Sequence, residues 1–143
     1  IHCSCCYSKM LKCKGDKTMK PDIVDALEAL KPAAIWTLPH NPTAANDYER
    51  LVWQDESQTK PTEDEVNAKV TELVNAYPMK LLREERNRRL QATDWRASSD
   101  LIILEAWKSY RQALRDLPAL STPKLDSNDN LDLTSVEWPT TPS

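Results

Sequence analysis

Scarcity of glycine most constrains what this chain can fold into. The 143 residues include one glycine, Gly15, against ten prolines. The dinucleotide-binding turn and the P-loop need several glycines so that backbone can approach a phosphate closely. The turn that exposes a catalytic serine in many hydrolases also needs flanking glycines. The sequence therefore excludes all three motifs in their ordinary forms.

The net charge and the hydropathy of the chain limit the classes of partner that it could bind. Hydrophobic residues make up 40% and charged residues 29% of the chain, which is typical of a folded soluble protein. The chain has a net charge of −3, whereas proteins that bind a nucleic-acid backbone usually have an excess of basic residues. No apolar run approaches the roughly 20 residues that span a bilayer. We expect neither nucleic acid nor a membrane among the partners.

The first 18 residues differ in composition from the rest. They contain His2, several lysines and all four cysteines of the chain, namely Cys3, Cys5, Cys6 and Cys13. Zinc sites usually use C-x2-C pairs, which are missing here, and adjacent Cys5 and Cys6 would ligate one ion awkwardly. We favour a segment without metal, with zinc or disulfides as alternatives. We expect residues 1–18 to lie outside the fold or upstream of a natural start at Met19.

A small α/β unit is predicted over residues 19–57. Pro21 suits a first helical turn, and apolar residues follow at helical spacing up to Pro32: Ile23, Val24, Leu27 and Leu30. Residues 33–38 (AAIWTL) and 48–55 (YERLVWQD) predict strands, with a turn at 39–42 (PHNP). Leu51 and Trp53 should face inward. One helix and two strands bury little apolar surface by themselves. The unit should therefore pack against the following helices or a partner.

A helical hairpin is predicted over residues 62–118. Thr62 and Glu65 have the spacing of a capping box. Apolar residues then recur every three or four positions: Val66, Val70, Leu73, Val74, Tyr77 and Leu81. Pro78 costs about 3 kcal/mol inside a helix, so we expect a kink or short break there, and an end near Leu90.

The second arm of the hairpin is predicted between residues 101 and 118. ASSD (97–100) offers capping side chains, and Pro118 should stop the helix. Its apolar stripe contains Ile103, Trp107, Tyr110, Leu114 and Leu117, and it is read as hairpin core in preference to a ligand-binding box. Two helices joined by a short loop are expected to fold back antiparallel.

Residues 119–143 should form an extended tail with a weak hairpin around Ser127–Asn130. The predicted fold class is therefore α+β: a small α-β-β unit, then a helical hairpin and the tail.

No catalytic constellation is visible. The only histidines are His2 and His40, and no serine or carboxylate pattern surrounds His40. Glu84 and Glu85 are adjacent, so they point to different faces of a helix and cannot act as a paired acid and base. We predict no enzymatic activity and no cofactor.

The arginine cluster between Arg83 and Arg89 contains two glutamates. Glu84–Arg88 and Glu85–Arg89 have the favourable i, i+4 order, so a solvated face that supports the helix is the leading interpretation. A protein-binding face is the alternative, because Trp, Tyr and Arg are enriched at binding hot spots. The candidate partner-binding residues are Arg86, Arg89, Trp95, Trp107, Tyr110 and Arg111.

The C-terminal half resembles the phage tail assembly chaperone family. MKLLREERNRRLQATDW, then EAWKSYRQALRDLP, follow the family patterns L-R-x-E-R-N-x-x-L-x-x-T-D-W and W-x-x-Y-R-Q-A-L-R-D-x-P, and VEWPTTPS is similar to the family's W-P-x-x-P endings. Residues 20–66 are more loosely similar to another small phage tail-protein family, with a helix, two strands and a P-T-E-x-E helix start.

These resemblances imply a non-enzymatic phage tail protein that helps tail fibres to fold or assemble by binding a fibre or other tail protein. It would act in the host cytoplasm during assembly. A structural adaptor that stays in the virion tail is the alternative, and a zinc-dependent regulator is a third. The oligomeric state, including a homo-oligomer, stays open.

Overall fold

The computed structural model describes residues 20–38, 48–97 and 102–143. Its elements are α1 (Ile23–Leu30), β1 (Trp36–Thr37), β2 (Val52–Trp53), α2 (Glu63–Gln91) and α3 (Glu105–Leu120), with short 3-10 turns at Asp94–Ala97 and Leu133–Ser135. The chain divides within α2 into two compact units, one ending at Asn75 and the other beginning at Ala76. The α+β class is confirmed. The predicted extension 1–18 and the turn at 39–42 lie outside the described residues.

α1 begins at a capping box that its own sequence supplies. One Asp22 carboxylate oxygen accepts hydrogen bonds from the backbone N–H of Val24 (2.9 Å) and Asp25 (3.3 Å). The Asp25 carboxylate in turn accepts from the backbone N–H of Asp22 at 2.9 Å. Four backbone N–H groups at a helix start lack partners within the helix, so this reciprocal arrangement fixes the first turn.

The two strands pair antiparallel, with Trp36 opposite Trp53 and Thr37 opposite Val52. Leu51 is buried and Val52 is 54% exposed, which confirms the predicted alternation. The Asp55 carboxylate joins the strands at one end, because it accepts from the backbone N–H of Ile35 (2.9 Å) and from the Ser57 hydroxyl (2.6 Å). These bonds lower the pKa of Asp55, the Ser57 hydroxyl contributing most.

The first unit has one hydrophobic cluster that includes the start of α2. Its buried members are Ile23, Val24, Ala26, Leu27, Ala34, Trp36, Leu38, Leu51 and Val66, and Val70 and Leu73 of α2 pack against them. This contact confirms that the small unit packs against the following helix. The predicted capping box is also present: the Thr62 N–H donates to Glu65 Oε2 (2.8 Å), and the Glu65 N–H donates to Thr62 Oγ1 (3.3 Å).

α2 runs without interruption through Pro78. The predicted short break is therefore wrong, and the alternative of a kink at Pro78 stays a prediction. Proline removes one backbone hydrogen bond, and the apolar stripe continues across it, with Tyr77 1% and Leu81 7% exposed. Burial of that stripe offsets the local cost, since tertiary packing supplies most helical stability.

α3 differs from its predicted bounds at both ends. It begins at Glu105, after an N-cap at Leu104 that makes no side-chain capping bond, so the expected ASSD cap is wrong. The preceding Ile102 and Ile103 are β-branched, which disfavours the helix there. Pro118 does not stop the helix, which continues to Leu120, because one proline near the end removes only one hydrogen bond.

The second unit pairs opposite ends of α2 and α3. Leu82 clusters with Leu117, while Leu90 packs against Trp107, Tyr110 and Leu114. Leu90, near the end of α2, therefore lies beside the first turns of α3, and the helical hairpin over residues 62–118 stays a prediction.

The C-terminal tail packs on this helix pair. The predicted weak hairpin is present as a bridge between Leu125 and Leu131, closed by the Asp126 N–H donating to Asn130 O at 2.8 Å. Asp129 takes a left-handed φ of 58°, which aspartate tolerates better than most residues. Farther on, Val136 is 6% exposed and Trp138 packs against both clusters of the unit. The tail therefore contributes to the core in addition to being extended.

Candidate partner-binding surface

Three of the six predicted binding residues lie inside the second unit. Trp107, Tyr110 and Arg111 are only 8%, 5% and 8% exposed. The rings of Trp107 and Tyr110 meet edge to face, with centroids 5.7 Å apart and planes at 84°. This geometry suits their electrostatic quadrupoles and rigidifies the packing. In this conformation these residues support a surface from within.

Arg111 fastens α3 to the end of α2. Its Nη1 donates to the backbone carbonyl of Leu90 (3.0 Å) and to Thr93 Oγ1 (2.7 Å), and its Nη2 donates to Asp94 Oδ1 at 2.8 Å. The Leu90 carbonyl belongs to the last turn of α2, where carbonyls lack helical partners. That carbonyl also accepts from the backbone N–H (3.0 Å) and the hydroxyl (2.9 Å) of Thr93, so the planar guanidinium of Arg111 adds to an existing cap and binds the Asp94 carboxylate at the same time. Thr93 and Asp94 belong to the T-D-W motif, although no role for them followed from the sequence.

Trp95 is the one predicted aromatic that lies at the surface, with 60% of its area exposed. The guanidinium carbon of Arg96 lies 4.3 Å from the centroid of the Trp95 ring and 4.1 Å from that of Trp107. A cation over two rings ties the exposed aromatic to the buried one. No sequence pattern singled out Arg96, since its role depends on the 3-10 turn that follows α2.

The arginines of α2 pair mainly within their own helix. Glu85 Oε1 lies 2.7 Å from Arg88 Nη2 and 2.8 Å from Arg89 Nε, so the predicted Glu85–Arg89 pair is confirmed. The Glu84–Arg88 pairing is not what forms: Arg88 pairs with Glu85, and Glu84 lies 4.0 Å from Lys80. Hydrogen bonds from Arg88, then Arg89, lower the pKa of Glu85.

The remaining candidates differ in their surroundings. Arg86 is half-buried and donates to Asn87 Oδ1 from Nε (3.1 Å) and Nη2 (2.8 Å). Arg89 is stacked on Trp138, with its guanidinium carbon 3.9 Å from the ring centroid. Trp95 and the arginines of α2 are therefore the predicted residues with surface to offer a partner.

In the described ranges, no three His, Cys, Asp or Glu side chains are grouped so that they would hold a metal ion. The alternative zinc ligands Cys3, Cys5, Cys6 and Cys13, with His2, lie outside those ranges, as does His40. None of the helices within the described ranges combines the length and apolar character needed to cross a bilayer.

Residues 79–143 match the family described as phage tail assembly chaperone protein. The match confirms the resemblance of the C-terminal half, and it covers the later part of α2, all of α3 and the tail. It supports a role in phage tail assembly. No curated protein and no solved structure matches the chain significantly.

Proposed function

We propose that this protein is a non-enzymatic assembly factor that binds a tail fibre protein while a phage tail is built in the host cytoplasm. The match over residues 79–143 carries the proposal. The matched segment includes Arg111 with its partners Thr93 and Asp94, and also the exposed Trp95. These residues form a rigid support with an aromatic side chain held at its surface.

Trp95 is the proposed direct contact with the fibre protein. Trp95 is 60% exposed, and Trp is among the residues enriched at binding hot spots. Stacking on Arg96 orients its ring before a partner arrives, which reduces the entropy lost on binding. Trp107, Tyr110 and Arg111 contribute by holding that position, and Arg86 and Arg89 provide charged surface on α2.

Co-expression with the neighbouring fibre gene tests the proposal. We expect the soluble, trimeric fibre yield to fall several-fold without this chain or with Trp95→Ala. Leu120→Ala is the matched control, because Leu120 is an apolar residue of the same unit that is 82% exposed. An unchanged fibre yield in the absence of the chain would refute the assembly role.

Mass spectrometry of purified particles separates this role from the structural alternative. An assembly factor should be absent from mature particles, because it acts before the tail is complete. An adaptor should be present in a fixed ratio to the tail proteins. Detection at that ratio would replace the proposal with the adaptor.

A further inference from the structure

A shallow groove runs along one side of α3. It is lined by Ile103, Lys108, Ser109, Arg111, Gln112 and Arg115. Three of these side chains are cationic and none carries a carboxylate. No residue of the tail lines the groove, although the tail covers other parts of the same unit. This groove is therefore an open surface with a cationic lining on the segment that matches the assembly chaperones, although Asp94 pairs with Arg111 and Asp116 accepts from Gln112 Nε2 at its edge.

The cations at the rim are available to a ligand. Arg115 donates from Nη1 to Gln112 Oε1 at 3.4 Å and forms no ion pair within the described residues. Lys108 Nζ lies 2.6 Å from Glu105 Oε1, but both side chains are well exposed, at 52% and 85%. Such an exposed pair contributes about 0–1 kcal/mol, so a competing carboxylate can displace it.

The spacing of the cationic side chains along α3 indicates which ligand would complement the groove. Lys108 and Arg115 lie seven residues apart on one face, with Arg111 between them, which corresponds to about 10 Å along a helix. A segment in the extended polyproline II conformation has three residues per turn and rises about 3.1 Å per residue, so every third side chain lies on the same face, about 9 Å apart. Ile103 adds an apolar contact near one end of the groove. Carboxylates spaced three residues apart, accompanied by one apolar side chain, would complement this lining.

We propose that this groove docks an extended acidic segment of the tail protein that the chain assists. The inference rests on the proposed function, since it names the chemistry of the partner's contact. A protein segment fits better than a nucleic acid, because the lining combines three cationic side chains with the apolar Ile103. A nucleic-acid backbone carries a phosphate at every nucleotide and offers no aliphatic side chain for Ile103.

A peptide assay tests the docking chemistry separately from assembly. The probe is a short fluorescein-labelled peptide with aspartate at every third position and one leucine, titrated with the full chain at low salt. We expect the double variant Lys108→Glu/Arg115→Glu to bind at least tenfold more weakly. The control Arg83→Glu/Lys124→Glu makes the same charge change at exposed positions outside the groove and should bind like wild type.

Each outcome of the peptide assay supports or rejects the groove as a binding site for an acidic segment. No binding by wild type, or equal loss in both double variants, overturns the groove as a site. A peptide with asparagine in place of aspartate that binds equally well also overturns it. A single-stranded DNA oligonucleotide that binds more tightly than the peptide, with the same dependence on Lys108 and Arg115, would reassign the groove to nucleic acid.

Fibre co-expression then separates the two proposals. If wild type raises the soluble fibre yield but Lys108→Glu/Arg115→Glu does so equally, the groove inference fails and the assembly role stands. If wild type leaves the yield unchanged while the peptide still binds through the groove, the assembly role fails and the docking chemistry stands.

Discussion

The guanidinium carbon of Arg89 lies 3.9 Å from the centroid of the Trp138 ring, and its Nε lies 2.8 Å from Glu85 Oε1. One arginine of α2 thus contacts both a carboxylate of its own helix and an aromatic residue of the C-terminal tail. Trp138 also packs against the clusters built by Leu82 and Leu114. The tail is therefore part of the second unit's core.

Replacing Trp138 should destabilise the protein. Trp138→Ala removes a half-buried aromatic and its stacking on Arg89, so we expect the free energy of unfolding to fall by about 2–4 kcal/mol. Urea denaturation followed by far-UV circular dichroism measures the change. Trp95→Ala is the control, since that ring is 60% exposed and should cost about 1 kcal/mol or less. Equal effects would contradict the packing role of the tail.

Arg111→Met should cost about 2–3 kcal/mol of unfolding free energy. The substitution keeps an unbranched apolar stem but removes the three hydrogen bonds by which Arg111 joins α3 to Leu90, Thr93 and Asp94. Arg115→Met, on the exposed face of the same helix, should change stability by less than about 0.5 kcal/mol. Thermal denaturation of both variants tests this, and a stable Arg111→Met protein would show that the contact does not hold the helices together.

The contribution of Glu85 to the free energy of unfolding should decrease as the pH falls. Arg88 and Arg89 lower the pKa of Glu85 in the folded state, so its contribution is present above the unfolded pKa of about 4.3 and disappears as pH falls through the folded value. Glu85→Gln should therefore be less stable than wild type at pH 7 by about 0.5–1 kcal/mol. That difference should close in strong acid. Melting temperatures across this range test it, and a constant difference would mean that the glutamate acts through packing alone.

Thr62→Ala should cost about 1 kcal/mol, because it removes one half of the capping box at the start of α2. The Glu65 carboxylate accepts from the Thr62 N–H and has a lowered pKa, chiefly because of that bond. Thr59→Ala changes an exposed threonine outside the box and should have little effect. Chemical denaturation of the two variants compares them directly. Equal denaturation midpoints would show that the capping box does not stabilise the start of α2.

Local rules succeeded where a few neighbouring residues decide the structure. The capping spacing of Thr62 and Glu65, the alternation around Leu51 and Val52, and the turn near Asp129 all depend on contacts within a few positions. The apolar stripe of α3 was readable for the same reason, since periodicity fixes which face must be buried. These features, and the paired motif that the family match confirms, follow from the sequence alone.

Tertiary structure decided the continuity and the partners. Whether Pro78 breaks α2 depends on how much surface lies buried on both sides of it, which no local pattern states. The partners of Arg111, the stacking of Arg96 on Trp107 and the packing of Trp138 on both clusters of the second unit join residues far apart in sequence. The helix or strand propensity of a residue is set by its own atoms and its sequence neighbours. The free energy of a long-range contact depends instead on which residues the fold places next to each other.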